Sequence, residues 1–244
     1  MKVLLAGATG FIGKHLLQTL LKDGHEVIVG VRNICDHNEN AIELDFANMP
    51  YEKNIVENLQ GFNVVINAVG IIAETKNQSF KQMHADAPIA LFKAAKIAKV
   101  QKIIQISALG TKDGVTPYHT SKEEANVYLR ALGVDYALLH PSIVYGDDGK
   151  STALFQALAS LPFTPIIQDG SQKLQPIYID DLSATVLTCM KSDKKKIELE
   201  VVGEDIVSYK ELLQGFRTWL GYKPTKTVSL PTIGTNIIGK ILGW

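Results

Sequence analysis

Cysteine is scarce in this sequence: Cys35 and Cys189 are the only two among 244 residues. They are far apart and show no metal-ligand spacing, which argues against a disulfide framework and predicts a reducing compartment. The six histidines are scattered, with no H-E-x-x-H run and no Cys/His cluster, so no metal site is expected. An excess of one charge is also lacking. Lys plus Arg and Asp plus Glu each total 25, which leaves no electrostatic footprint for nucleic acid or an anionic membrane. No apolar run approaches the roughly 18 residues of a transmembrane segment. The run Val3-Leu4-Leu5-Ala6 stops at Gly7. It is too short for the apolar core of a signal peptide and reads as a strand of a cytoplasmic protein. The last segment, Leu230 to Trp244, is apolar and punctuated by Gly. Packing on the domain, lying on a surface, and being the stub of a longer natural chain are all open to it.

What the chain does have is apolar content, 46%, enough for one large α/β domain or a domain with a small appendage. Short runs rich in Val and Ile alternate with longer segments of helical period. Strands are predicted at 2–6, Val27 to Val31, Ala41 to Leu44, Val64 to Val69, Ile103 to Ser107 and Tyr136 to His140, and helices at 11–22, 79–98 and 118–132. Apolar runs with little alternation are strands buried on both faces. Strand–helix alternation gives a doubly wound parallel sheet. After about residue 146 the rhythm loosens. Helices are predicted at 152–160, at 181–191 with Asp180 or Asp181 as N-cap, and at 208–220 with Ser208 and Glu211 as a capping box. Short strands are predicted at Ile166-Ile167, Pro176 to Ile179 and Glu198 to Val202. The expected organisation is a sheet domain over 1–146, to which the strand and helix at about 176–191 return, and a small irregular lobe over 147–244 resting on the carboxyl edge of the sheet.

The segment Leu5-Ala6-Gly7-Ala8-Thr9-Gly10-Phe11-Ile12-Gly13 joins the first strand to the first helix. Gly7 permits the tight turn. Gly10 lets backbone approach a pyrophosphate with no Cβ in the way, and Gly13 lets the helix pack closely on the sheet. Amides at the helix N-terminus then face the phosphates, where the helix dipole favours negative charge. An ordinary Gly-rich turn could carry the same triplet. Its place between a buried strand and an amphipathic helix predicts dinucleotide binding, hence a Rossmann domain. NAD-specific Rossmann proteins usually place an acid at the end of the second strand for the ribose 2′-hydroxyl. Here Val31 takes that position and Arg32 follows. With no carboxylate to repel a 2′-phosphate and a guanidinium to clamp it, NADP(H) is preferred and NAD(H) is second choice. A solvated surface Arg32 is the other reading.

Gly-Ala-Thr-Gly-Phe-Ile-Gly at 7–13 resembles the fingerprint of the extended and atypical short-chain dehydrogenases/reductases, which include NAD-dependent epimerase/dehydratase-like proteins. The resemblance covers about residues 1–185. Asp45-Phe46 is similar to a pair that lies beside the adenine in that family, and a turn cap by Asp45 fits equally. Asn67-Ala68-Val69-Gly70 resembles the Asn-Ala-x-Gly segment that lines the cofactor. His140-Pro141-Ser142-Ile143-Val144-Tyr145-Gly146 resembles the Arg-Pro-x-x-Val-Tyr-Gly segment that packs on the nicotinamide amide, with His140 in place of the usual Arg and read as a core or interface residue. Tyr178-Ile179-Asp180-Asp181-Leu182 resembles the return segment to the substrate lobe, its acids being helix caps.

Tyr118 and Lys122 stand four apart in a predicted helix, on one face. A Tyr hydroxyl titrates near 10, too high for a base at neutrality, and a nearby ammonium lowers that value. Lys122 would also hold the nicotinamide ribose, while Tyr118 passes a proton to or from a substrate oxygen. The pattern alone is weak, and an exposed Tyr with a solvated Lys would produce it. Its position between the fifth and sixth strands is similar to the family's active site. Two departures stand beside it. Ser107 ends the fifth strand, but the family's hydroxyl position falls on Ala108, with Ser107 or Thr111 as substitutes. His84 replaces the usual supporting Asn. A pair without its hydroxyl partner stabilises an oxyanion less well.

The resemblance thus places Gly7, Thr9, Gly10, Phe11, Ile12, Gly13, Arg32, Asp45, Phe46, Ala68, Val69, Gly70, Ser107, Tyr118, Lys122, Pro141 and Ile143 at the cofactor. Tyr118, Lys122 and Ser107 form the catalytic set. Ser107-Ala108-Leu109-Gly110 looks most like the atypical branch, which includes the NADPH-binding accessory subunit of complex I and its bacterial relatives. Two functions follow as expectations: an NADP(H)-dependent oxidoreductase or epimerase-type enzyme, or a non-catalytic NAD(P)H-binding protein with an assembly, regulatory or redox-sensing role. The partner is a small-molecule substrate of undetermined identity, and the oligomeric state is open between monomer and homodimer. In the lobe, Phe155, Phe163, Tyr178 and Trp219 are expected in the core, with pocket walls as the alternative.

Overall fold

The computed structural model describes residues 1–34, 40–49 and 52–230. Cys35 and all but the first residue of the apolar C-terminal segment lie outside them. The chain divides into two compact units, residues 1–141 with 180–201, and residues 142–179 with 202 onward.

The first unit is built on seven parallel strands: β1 (Lys2–Ala6), β2 (Glu26–Val31), β3 (Ala41–Glu43), β4 (Val64–Asn67), β5 (Lys102–Ile106), β6 (Asp135–Pro141) and, late in the chain, β11 (Ile197–Val201). Their spatial order is β11-β6-β5-β4-β1-β2-β3. The order reverses between β1 and β4, the switch point at which doubly wound sheets hold ligands. β4 and β5 are buried at every residue, as strands covered on both faces must be. Their side chains join Leu91 and Phe92 of α3 (Ala87–Ile97) and Leu129 of α4 (Pro117–Ala131) in one apolar core.

The structure corrects the predicted elements in four places. A helix absent from the sequence reading, α2 (Glu52–Asn58), buries only Ile55, too little apolar content to show a period. The helix predicted over 79–98 opens with a π-helical turn, Lys81–Asp86, in which the Ala87 N–H donates to the Gln82 carbonyl. Pro88 has no N–H for the carbonyl four residues back and its ring crowds it, so the wider turn precedes α3. The helix α6 (Ile179–Lys191) begins before Asp180 and Asp181. These two are first-turn acids facing the positive helix end, not N-caps. Finally β11, assigned above to the lobe, pairs with β6 from Ile197↔Ala137 to Val201↔Pro141 and extends the main sheet. Its half-buried Glu198 and exposed Leu199 and Glu200 belong to an edge strand, not to an irregular lobe.

The second unit pairs β7 (Val144–Tyr145) with β10 (Ile177–Tyr178), β8 (Thr164–Ile167) with β13 (Thr227–Leu230), and β9 (Lys173–Leu174) with β12 (Val207–Ser208). Helices α5 (Lys150–Ser160) and α7 (Tyr209–Trp219) complete it. The expected capping box is present: Ser208 accepts from the Glu211 N–H, and Glu211 accepts from the Ser208 N–H. Phe155, Ile166, Tyr209 and Leu213 form its core. Of the four aromatics expected there, only Phe155 is buried; Phe163, Tyr178 and Trp219 are exposed.

Candidate cofactor and active site

β1 delivers the phosphate loop to α1 (Phe11–Lys22). Gly7 has φ +86°, and a Cβ there would fall 2.8 Å from the backbone of Ala68 and Val69, so both conformation and space demand Gly. Its carbonyl accepts the Gly10 N–H at 2.9 Å. A Cβ at Gly13 would lie 2.0 Å from that same carbonyl oxygen. Gly10 differs. Its backbone is extended (φ −80°, ψ 168°), and a Cβ there would meet only the Gly7 oxygen, at 3.3 Å. The fold therefore requires Gly7 and Gly13, while Gly10 leaves open space at the N-cap. No side chain caps this end of α1 and no acid occupies its first turn, so its leading amides are available to an anion. This cradle fits a diphosphate.

Thr9 and Gly10 are exposed, and Phe11 and Ile12 are half-buried, the Phe11 ring standing edge-on to His15. Arg32 is exposed immediately after buried Val31. Asp45 caps its own turn, one carboxylate oxygen accepting the Ala47 N–H and the other the Asn48 amide, both at 3.0 Å. Phe46 is in the core, so only its backbone could meet a ligand. Pro141 is buried at the end of β6. Ile143 belongs to the second unit, packed against its Phe155 cluster.

The predicted pair lies on α4, whose start is set by Thr116 accepting the His119 N–H and by Pro117 at the first helical position. Tyr118, Lys122 and Asn126 follow at four-residue steps on one face. The Lys122 ammonium is buried 5.6 Å from the centre of the Tyr118 ring and donates to the Ile106 carbonyl at 3.4 Å. It also stands 3.6 Å from where a Cβ at Gly70 would sit, beside the segment that follows β4. Asn126, fully buried, donates to the Ser107 hydroxyl at 2.8 Å and holds it from below. The structure thus brings Gly70, Ser107, Tyr118 and Lys122 into one cluster. Thr111 is buried between Asn126 and His140, 3.4 Å from each. The expected lowering of the Tyr118 pKa is not observed. Desolvation pushes the half-buried phenol up to about 12, and fuller burial pulls Lys122 down to about 8, because removal from water disfavours the ionised form of each.

His84 was legible only as a departure from a pattern, yet it organises the cluster. It is 2% exposed. Its Nε2 accepts the Ile71 N–H at 3.0 Å, which leaves the ring proton on Nδ1, facing the Ser121 hydroxyl at 3.2 Å. Ser121 donates in turn to the Tyr118 carbonyl at 3.0 Å. The ring stacks on Phe80 and stands edge-on to Tyr118. Burial first, and the Lys122 charge second, hold His84 neutral, its pKa pulled down to about 2. Asn126 and Ser121 were not singled out in the sequence; the four-residue step beyond Lys122 was the signal available for Asn126.

His140 is structural, as read above. One ring nitrogen meets the Ala108 carbonyl at 3.1 Å and the other the Glu198 carboxylate at 3.0 Å. Glu198 is shared with Arg130 and Lys112. The Arg130 hydrogen bonds lead in holding its pKa down to about 2.

A family model described as NAD(P)H-binding matches residues 7–164, from the first glycine of the loop past the end of β6. The chain belongs to this NAD(P)H-binding family. Among curated relatives, ceramide reductase of Caulobacter vibrioides is 26% identical over 98% of this chain and 77% of its own length. The alpha subcomplex subunit 9 of mitochondrial NADH dehydrogenase [ubiquinone] 1 from Arabidopsis thaliana is 28% identical over 85% of this chain. The chain spans 55% of that subunit's length. Among solved structures, UDP-glucuronic acid 4-epimerase of Bacillus cereus in complex with NAD aligns with a TM-score of 0.76 at 23% identity, covering 94% of this chain and 87% of that one. The Rossmann fold and the nicotinamide cofactor read from the loop are thereby shown. Among the described residues, no helix is long and apolar enough to cross a membrane.

Proposed function

We propose that this chain is an NADP(H)-dependent reductase of a small carbonyl compound, with Tyr118 as proton donor. The observation that carries the reading is the single face of α4 on which Tyr118, Lys122 and Asn126 stand, with Lys122 buried against Gly70 and Asn126 tied to Ser107. When bound, the nicotinamide supplies the hydride. The chain's own residues do the rest. The amides after β1 and at the start of α1 hold the diphosphate. Arg32 pairs with the 2′-phosphate, which is the basis for preferring NADP(H). Lys122 reaches a ribose hydroxyl and presents positive charge beside the phenol. Tyr118, neutral because burial raises its pKa to about 12, delivers its proton to the oxygen that becomes the alcohol. A neutral phenol carries the proton that carbonyl reduction consumes. The reductase relative adds support for this direction. Ser107 is the candidate second donor to the substrate oxygen.

Ala108 favours the second reading, a non-catalytic NAD(P)H-binding protein, because it leaves the family's hydroxyl position empty. One experiment separates the two: NADPH oxidation followed at the nicotinamide absorbance with a panel of ketones and aldehydes, for wild type and Tyr118→Phe. Turnover lost in the variant supports the reductase. Saturable NADPH binding with no turnover on any carbonyl supports the second reading.

A further inference from the structure

Within the second unit, a cavity of about 410 Å³ is lined by β7, β10 and one face of α7. That volume lies within the range of small-molecule pockets, about 300–1,000 Å³. The helix has two faces at work. Tyr209, Leu213 and Arg217 are buried, while Glu211, Leu212, Gly215 and Trp219 line the cavity. Gly215 is the anomaly. Glycine in a helix interior is less stable than alanine, and here the fold gives no reason for it. A Cβ built at Gly215 meets no heavy atom within 4 Å. At Gly203, by contrast, a Cβ would collide with the Pro176 carbonyl at 2.0 Å. Gly215 is exposed, and a Cβ there would face open space on the cavity side of α7.

The walls say what kind. Tyr145 and Tyr178, adjacent across the β7–β10 pair with ring centres 5.4 Å apart, are each 37% exposed, and Trp219 is 66% exposed. Large aromatic faces left to solvent around a concavity mark a binding site for apolar matter. The ionisable residues in the lining are both acids, Asp147 and Glu211, and neither Lys nor Arg is among them. The Glu211 carboxylate is already engaged by the Ser208 N–H at 2.6 Å. A nucleotide diphosphate or an anionic lipid would meet the wrong charge and no cationic donors.

We infer that this cavity binds an uncharged aliphatic chain rather than a nucleotide sugar. Calling the ligand a substrate rests on the reductase reading; the binding does not. Trp219 is the built-in reporter, since Trp244 is the one other tryptophan in the sequence. The full chain carrying Trp244→Phe is titrated, without nucleotide, with 2-tetradecanone and separately with UDP-glucose. A saturable blue shift of Trp219 emission with the ketone and none with UDP-glucose is the expected result. Gly215→Phe, which fills the cavity, should weaken the ketone at least tenfold without lowering the melting temperature. Gly215→Leu gives the same reading with less bulk. Gly215→Ala should bind normally and melt higher. No response to the ketone, a response to UDP-glucose, or an undiminished response in a folded Gly215→Leu overturns the inference. Ketone binding without NADPH oxidation would leave the cavity assignment standing and count against the reductase reading. Turnover of short ketones with a silent Trp219 would do the reverse.

Discussion

Gly13 stands so close to Gly7 that a Cβ on the first would lie 2.0 Å from the carbonyl oxygen of the second. The contact locks α1 to the end of β1 and aims the helix N-terminus at the loop. Gly10 between them has no such obligation to the fold. The two positions should therefore separate stability from binding. Gly13→Ala is expected to destabilise by about 3 kcal/mol or more, as backbone overpacking does. Gly10→Ala should change stability by less than about 1 kcal/mol and still lower NADPH affinity by about tenfold or more, because its methyl group occupies the ligand's space. Thermal unfolding and NADPH fluorescence titration of both variants check this.

The phosphate loop was legible in sequence because its demands fall on the backbone: a positive φ at Gly7 and a missing Cβ at Gly13 leave no choice of residue. The buried strands β4 to β6 were legible for a similar reason, since being covered on both faces selects mostly apolar side chains, with Asn67, Lys102, Gln105 and His140 as buried polar exceptions. What escaped was decided by partners distant in sequence. β11 looks like lobe because Glu198 and Glu200 break the apolar run, and only pairing with β6 makes it part of the sheet. The π-helical turn before α3 follows from Pro88, visible in the sequence, but its consequence, three successive buried residues Met83, His84 and Ala85, needs the register. The Tyr118–Lys122 spacing was legible; the sign of the Tyr118 shift was not, because burial outweighs the ammonium.

The proposed preference for NADP(H) rests on Arg32. Arg32→Asp removes the guanidinium and puts a negative charge where the 2′-phosphate would be held. A charged hydrogen bond contributes about 1.5–3 kcal/mol, so NADPH affinity should fall roughly 10- to 100-fold while NADH affinity holds or rises. Parallel titrations with both nucleotides measure it. Equal affinity loss for both would make Arg32 a surface residue.

Tyr118→Phe should keep fold and NADPH binding while lowering carbonyl reduction by about 10²- to 10⁴-fold, the contribution of a positioned acid. Lys122 carries a separate signature. Its folded pKa of about 8 lies below the ordinary 10.5, so between those values the unfolded chain binds more protons and stability rises with pH. Below about 8 both states are charged and the burial penalty is constant. The rise should total about 3 kcal/mol and vanish in Lys122→Met. Chemical denaturation of both proteins across this window tests the assignment.

His84 is the residue on which positioning of Tyr118 turns. Replacing it with Leu leaves the half-buried Ile71 N–H without its acceptor, at a cost of about 1–3 kcal/mol, and removes the donor to Ser121, whose hydroxyl still donates to the Tyr118 carbonyl. The same variant should change the response to acid. With a folded pKa of about 2 against an ordinary 6.5, the unfolded chain takes up a proton at His84 below about pH 6.5 and the folded one does not, so wild type loses stability as pH falls. By about pH 5 the loss from this group alone should be roughly 2 kcal/mol. His84→Leu, less stable at neutrality, should lack that share of the decline, so the gap between the two proteins narrows on acidification. For activity, a positioning role predicts a fall in kcat with KM for NADPH little changed, since the ring touches Tyr118 and Phe80 and not the phosphate loop. A gap between the two proteins that is the same at pH 5 as at pH 7 would mean that the ring is not held neutral, and the relay from Ile71 through His84 and Ser121 to Tyr118 would lose its basis.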